Sequence, residues 1–237
     1  MAEWFEEWFG EEYLQLYPHR DDAEAARAVE LLVEATGLQS HWRVLDVACG
    51  AGRHARAFRA AGARCVGVDL SAPLLRIARG VTDAFLVRAD MRALPIRAGS
   101  MDLTVNLFTS FGYFGRESDH ATALQEMVAT VRPGGWFAID FLNPATVRAR
   151  LVPCERVAAG GREVEVTRVL SPDGHHVSKT IRTEGRSFVE RVRLFEPEEI
   201  EAMLRRTGIA VRRRFGDYDA SPIQPGSLRT ILVGQTA

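Results

Sequence analysis

Three acids, Asp46, Asp69 and Asp90, fall at or near the ends of successive apolar runs in this sequence. The first is followed by Gly50-Ala51-Gly52-Arg53-His54-Ala55, which formally fits the G-x-G-x-x-G/A pattern. Physically this is a backbone that comes close to a ligand at a helix N-terminus; taken alone it is an ordinary glycine turn. Asp69 ends the next apolar run, where an acid accepts both hydroxyls of a ribose; the plain alternative is a turn or helix cap. Asp46 precedes Gly50 by four residues. A pyrophosphate gives no reason for a carboxylate there, whereas the free ammonium group of an amino acid does. Asp90 ends the third run, where its carboxylate can accept from an adenine amino group with Met91 on the ring; a cap is again the alternative. Together the three acids suit a ligand with amine, ribose and adenine, and no phosphate.

The elements that must position these residues follow from periodicity. A helix is expected from Asp22 to Ala35, with Asp21 as its cap and Gly37 ending it. Strand-then-helix units recur: strand 43–47, helix 54–61, strand 64–68, helix 72–79 capped by Ser71, strand 84–89 and strand 101–107. An amphipathic helix follows over 118–131, with Ala121, Leu124, Val128 and Val131 inward. Pro133-Gly134-Gly135 then turns the chain into strand 136–141. Such alternation implies a parallel sheet covered on both faces. Residues 145–195 break the rhythm: 163–169 and 177–183 alternate around Pro172-Asp173-Gly174, which predicts an antiparallel hairpin extended by 188–194. A helix from Pro197 buries Ile200, Met203 and Leu204 and ends at Gly208. The last two runs, 209–215 and 228–233, have no helix between them and should pair antiparallel at one sheet edge.

In this context the sequence resembles the class I S-adenosylmethionine-dependent methyltransferases, of the small-molecule type. Val44-Leu45-Asp46-Val47-Ala48-Cys49-Gly50-Ala51-Gly52 looks like their first motif, Val66-Gly67-Val68-Asp69-Leu70-Ser71 the second, and Ala89-Asp90-Met91-Arg92-Ala93-Leu94-Pro95 the third. Asp102-Leu103-Thr104-Val105 with Asn106-Leu107-Phe108, and Arg132-Pro133-Gly134-Gly135, resemble the next two. The resemblance implies an α/β fold: a Rossmann-like, seven-stranded, mostly parallel sheet with a reversed edge hairpin. Here it would be one domain over 1–237, with an N-terminal helical cap (1–40) and an inserted antiparallel β lid (145–195). It also implies methyl transfer from S-adenosyl-L-methionine. Gly50, Gly52 and Ala48 would approach the methionine part with Asp46, Asp69 and Leu70 would hold the ribose, Asp90 and Met91 the adenine, and the Asn106-Leu107 backbone would lie near the reacting end. Arg20, with Tyr13 or Tyr17, would bind the methionine carboxylate, unless that segment only packs. Phe108, Phe111, Tyr113, Asp140 and Asn143 would face the acceptor.

Direct displacement from a sulfonium needs alignment and exclusion of water more than a base. The candidate bases are His19, Tyr113 and His120, in that order; His54 reads as a packing group. No metal is expected, because His175-His176 has no third partner and Asp140 with Asn143 does not complete an oxygen-ligand set. Thr109 to Gly115 offers aromatic faces to a cationic donor. The insert serves as a specificity lid or, alternatively, as a homodimer contact.

Composition narrows the classes. The 237 residues are 46% hydrophobic, and 30 basic against 31 acidic residues leave a net charge of -1, so a nucleic-acid partner is not indicated. Arg212-Arg213-Arg214 reads as a solvated sheet edge. Lys179 is the only lysine, a bias first ascribed to genome composition. Cys49, Cys65 and Cys154 show no metal or disulfide spacing and suit the reducing cytoplasm. No signal peptide or run of roughly 18 apolar residues points to export or a membrane. Two other functions remain open at this point: an NAD(P)-dependent oxidoreductase, on the glycine pattern alone, and a non-catalytic nucleoside-binding module.

Overall fold

The computed structural model describes residues 3–10, 13, 16, 22–159, 161–183 and 185–237. After α1 (Trp4–Trp8) and α2 (Asp22–Thr36), strands and helices alternate: β1 (Arg43–Val47), α3 (Arg53–Ala60), β2 (Arg64–Asp69), α4 (Ala72–Val81), β3 (Phe85–Arg88), β4 (Met101–Asn106), α5 (Glu117–Ala129) and β5 (Val131–Leu142). The chain continues through α6 (Pro144–Arg150), then β6 (Cys154–Ala159), β7 (Arg162–Leu170), β8 (His176–Thr183) and β9 (Arg186–Arg193). It ends with α7 (Pro197–Arg206), β10 (Ile209–Phe215) and β11 (Arg229–Thr236).

Among the described residues, seven strands form the main sheet in the order β10-β11-β5-β4-β1-β2-β3. β1 to β5 are parallel; β11 runs antiparallel to β5, and β10 antiparallel to β11. This is the Rossmann-like sheet with a reversed edge hairpin. The order reverses beside β1, and the crevice above such a switch point is where ligands bind in open α/β sheets. Strand alternation builds the two faces. Leu45, Val47, Val68, Ile139 and Phe141 pack toward α5 and α7, and Val44, Leu103, Val105 and Ala138 toward α2 and α3.

Several boundaries differ from the periodicity reading. The inward face of α5 is Ala123, Leu124, Met127 and Val128, while Ala121 is exposed and Val131 begins β5. Pro133-Gly134-Gly135 lies within β5 as an irregularity, with Gly134 at φ +67°. In β10 a bulge between Val211 and Arg213 breaks the alternation, so Arg212, Arg213 and Arg214 are all exposed. Residues 145–195 hold more than a hairpin: α6 comes first, and β6-β7-β8-β9 form a four-stranded antiparallel sheet. Its inner face buries Val164, Val166 and Ile181 against Trp8, Tyr13 and Leu74.

Candidate active site

The carboxyl ends of β1, β2 and β4, with β3's outgoing loop, enclose a cavity of about 440 Å³, within the range of small-molecule sites. After β1 the chain turns through Ala48 (φ +61°) and Gly50 (φ +55°), with the Cys49 amide donating to the Val68 carbonyl at 3.0 Å. Gly52, also left-handed, starts α3; a Cβ there would come within 3.0 Å of Ala78 and Thr82. Gly52 therefore lets α3 approach α4 and is not part of the cavity wall, whereas Ala48 and Gly50 are.

Asp69 is fixed by this turn. One carboxylate oxygen accepts from the Gly50 amide and the other from the Ser71 amide, each at 2.8 Å. Burial raises its pKa above the usual range, and the amides of Ser71, Gly50 and Leu70 pull the other way. Asp69 and Leu70 line the cavity. The Gly50 amide is thus committed to a carboxylate, and a pyrophosphate placed there would meet negative charge. This disfavours a dinucleotide and fits a ribose, which donates its hydroxyl hydrogens.

Asp90 and Met91 form a second part of the wall. Arg92 grips the Asp90 carboxylate, with its terminal nitrogen at 2.6 Å, and also pairs with Glu3 and Asp119. Burial alone would raise the Asp90 pKa, but Arg92 more than offsets it and holds the acid below its ordinary value. Asp46 stands elsewhere. It is buried on the α3 side of β1, behind the turn, and is absent from the cavity wall. Burial first, then the charge of Asp69, pushes its pKa up to about 7, against Arg53 and the Ala55 amide. Its expected contact with a ligand ammonium is therefore replaced by a place under the α3 N-terminus.

Leu107 and Phe108 leave β4 into the cavity. Phe108 and Thr109 both have left-handed backbones, φ +59° and +60°, a conformation that costs non-glycine residues about 1–3 kcal/mol each. Asp140 holds them. Its carboxylate accepts from the Phe108 amide at 2.9 Å and its carbonyl from the Thr109 amide at 3.0 Å. The same carboxylate accepts from Tyr218 Oη at 2.6 Å and Arg229 Nε at 2.7 Å. Arg53 and Arg229 lie 4.1 and 5.1 Å from the Phe108 ring centroid.

Three residues expected at the ligand, Asp140, Asn143 and Phe111, are thus structural. Asp140 is the buried anchor of this loop. Asn143 caps α6 by accepting from the Ala145 amide at 3.0 Å. Asn106 is expected to act through its backbone; its buried side-chain amide donates to the Val47 carbonyl at 3.0 Å, and the next residue, Leu107, lines the cavity. Phe111 packs among His120, Phe195 and the core. His120 is buried beneath these rings, away from the cavity. His19, Tyr17, Arg20 and Asp21 lie outside the described residues.

The cavity is roofed by aromatic side chains. Phe5, Phe9, Tyr13, Tyr113 and Phe114 line it; Phe9 stacks on Tyr113 with centroids 5.7 Å apart. α1 is fastened on three sides: Trp4 Nε1 donates to the Tyr113 carbonyl at 3.3 Å, Trp8 Nε1 to Glu190 at 2.8 Å, and the Ser71 hydroxyl to the Phe9 carbonyl. Phe114 comes from the aromatic 109–115 segment expected there, whereas Phe5, Phe9 and Ser71 are wall residues the sequence does not single out, and His54, expected only to pack, also lies at the wall. For Phe5 and Phe9 the available signal is the aromatic spacing of the N-terminal segment.

A methyltransferase-domain family model matches residues 44–135. The chain is 31% identical over 189 residues to dTDP-3-amino-3,6-dideoxy-alpha-D-glucopyranose N,N-dimethyltransferase of Streptomyces fradiae, a match covering 71% of this chain and 70% of that protein. It is 31% identical over 209 residues to demethylmenaquinone methyltransferase of Thermus thermophilus, covering 84% of this chain and 87% of that one. Among solved structures it is similar to the sugar N-methyltransferase KedS8 from a Streptoalloteichus species, with a TM-score of 0.71, 25% identity, and 96% and 93% of the two chains covered. A parallel sheet with a reversed hairpin and these relatives define one class of enzyme. The chain belongs to the S-adenosylmethionine-dependent methyltransferases. It is an enzyme that uses S-adenosyl-L-methionine as methyl donor, which removes both the oxidoreductase and the non-catalytic readings. Among the described residues no helix is long and apolar enough to cross a membrane.

Proposed function

We propose that this methyltransferase acts in the cytoplasm on a small-molecule acceptor, which enters the cavity beneath α1 and meets the donor beside Tyr113. The observation that carries this reading is the roof: α1 is tied to Ser71, Tyr113 and Glu190 over a cavity of about 440 Å³, a space for a cofactor and a small partner rather than a folded macromolecule. Bound there, the donor supplies an activated methyl group on a sulfonium.

The chain's own residues do the rest. Asp69 accepts from the ribose hydroxyls while Gly50 and Ser71 keep its carboxylate aimed. Asp90 and Met91 receive the adenine. Ala48, Gly50 and Leu107 border the methionine part, with Tyr13 nearby. Phe9, Tyr113 and Phe114 exclude water and offer ring faces, which attract a cation. Phe108, pinned through Asp140, borders the acceptor. The four-stranded sheet of residues 154–193 acts as the specificity lid, since its Glu190 holds the roof helix in place.

The acceptor is best sought first among amines, because a neutral amine needs no strong base and two of the relatives act on sugar nitrogen by name. Release of S-adenosylhomocysteine is measured over a panel of amino sugars, simple amines, quinols and catechols, with a bulk protein and an RNA alongside. Turnover is expected with a small amine. Turnover confined to the protein or the RNA would refute the reading.

A further inference from the structure

A second cavity, of about 450 Å³, lies between α6 and the inner face of the four-stranded sheet. It shares no lining residue with the first. Leu142, Val147 and Leu151 form one apolar side and Val177 and Val192 the other. Across this surface runs a row of charge set by strand register. Glu190 stands opposite Lys179, and Lys179 opposite Arg168. Glu155 completes the row from β6, accepting from Arg168 at 2.6 Å. Lys179 Nζ lies 3.6 Å from Glu190, whose other oxygen accepts from Trp8. All four side chains line the cavity, and Arg150 adds a third cation.

Two cations placed directly opposite one another on adjacent strands repel and destabilise the pairing. They do so here on a half-buried face, with side-chain exposures of 25% for Arg168 and 21% for Lys179; each is matched by one carboxylate at its outer side, and Arg150 leaves the cavity with one cation in excess. An anion seated between them relieves that repulsion and gains charge-assisted hydrogen bonds, while the surrounding valines and leucines accept an apolar body. We propose that this cavity is a binding site for a small amphipathic anion, a carboxylate or phosphate carried on an apolar chain or ring, with Lys179 and Arg168 reading the anionic group. The proposal stands apart from the acceptor reading, because it concerns a different cavity and its test needs no turnover.

The test is calorimetry on the full chain with S-adenosylhomocysteine saturating the first cavity. Octanoate and octyl phosphate are titrated as the two anion types, and octanol as the neutral match. Both anions, or the preferred one, should bind at least about tenfold more tightly than octanol. Lys179→Met and Arg168→Met should each weaken the anion about tenfold and leave octanol unchanged. Glu155→Gln, which frees Arg168 from its carboxylate, should tighten the anion, a gain that loss of structure cannot imitate. Unchanged S-adenosylhomocysteine affinity in each variant reports an intact fold. Absence of anion binding, equal binding of octanol, or anion affinity indifferent to both cation variants would overturn the proposal.

Discussion

The two cavities are nearly equal in size and opposite in charge. Among described residues, the first is lined by three carboxylates, Asp22, Asp69 and Asp90, against the guanidinium groups of Arg53 and Arg56. The second is lined by Arg150, Arg168 and Lys179 against Glu155 and Glu190. The difference follows from how each sheet places side chains. At the edge of a parallel sheet, every strand runs into a turn and a helix start, so acids and amides gather within a few residues of one another. On an antiparallel face, charges become neighbours through cross-strand register, from residues far apart in the chain. One construction suits a cation built on a nucleoside; the other makes a linear row suited to an anion.

The largest effect is expected where β5 and β11 serve both cavities. Asp140 fixes Phe108 beside the first with Arg229 of β11, and Leu142, with Leu228 just before β11, lines the second. Asp140→Ala leaves the buried Arg229 guanidinium without its carboxylate, a loss of about 3–5 kcal/mol. Denaturant unfolding should show this, and Asp140→Asn should recover part of it. A variant as stable as the wild type would mean that the loop and Arg229 do not depend on the carboxylate.

Next is Asp69→Ala, which separates the cavities. Losing the charged acceptor should cost about 2–3 kcal/mol of S-adenosylhomocysteine affinity, on the order of a hundredfold in Kd. Octanoate binding should not change. Equal loss at both sites, with helical content reduced, would point to a collapsed fold instead of a missing contact.

The same contrast explains what is legible in the sequence. β1 to β4, α4 and the Asp69 and Asp90 positions are legible because each strand–turn–helix unit is written in consecutive residues. Ser71, for instance, caps α4 by accepting from the Leu74 amide three residues on. Asp140 misled, since a buried acid ending a strand looks like a ligand residue; its partners Tyr218 and Arg229 are 78 and 89 residues away. Asn143-Pro144 carries a helix-start signal, and Asn143 spends its side chain on that cap instead of on an acceptor. Asp46 was placed by its distance from Gly50, but period-2 alternation sends its side chain to the α3 face. The Glu155–Arg168–Lys179–Glu190 row left no local trace, and the lone lysine passed as composition.

A smaller, pH-dependent effect sharpens the account of Asp46. Its folded pKa, about 7, exceeds the unfolded 3.8 because burial and Asp69 oppose ionisation. Its contribution to stability is therefore fully present below pH 3.8 and is lost as pH rises through 7. Asp46→Asn should gain on the wild type between pH 4 and pH 8, followed as denaturation midpoints at each pH. His120 has the opposite slope: burial depresses its pKa below 6.5, so stability is kept above pH 6.5 and lost as pH falls below it. His120→Phe should flatten only the acidic limb. Parallel profiles for wild type and either variant would remove that group from the pH response.

The smallest expected effect tests whether the cavities are coupled through the roof. Trp8→Phe keeps a ring against Phe188 and Tyr13 but removes the N–H that Glu190 accepts. The stability loss should be about 1 kcal/mol, and the consequence for binding should be one-sided. With α1 less firmly held, S-adenosylhomocysteine affinity falls a few-fold. Octanoate affinity should stay within about twofold, because Lys179 and Arg168 are untouched and Glu190 still faces Lys179. Calorimetry on the variant with each ligand separates the cases. A matched fall at both sites would show that Glu190 transmits occupancy between them, and the two cavities would have to be treated as one linked system.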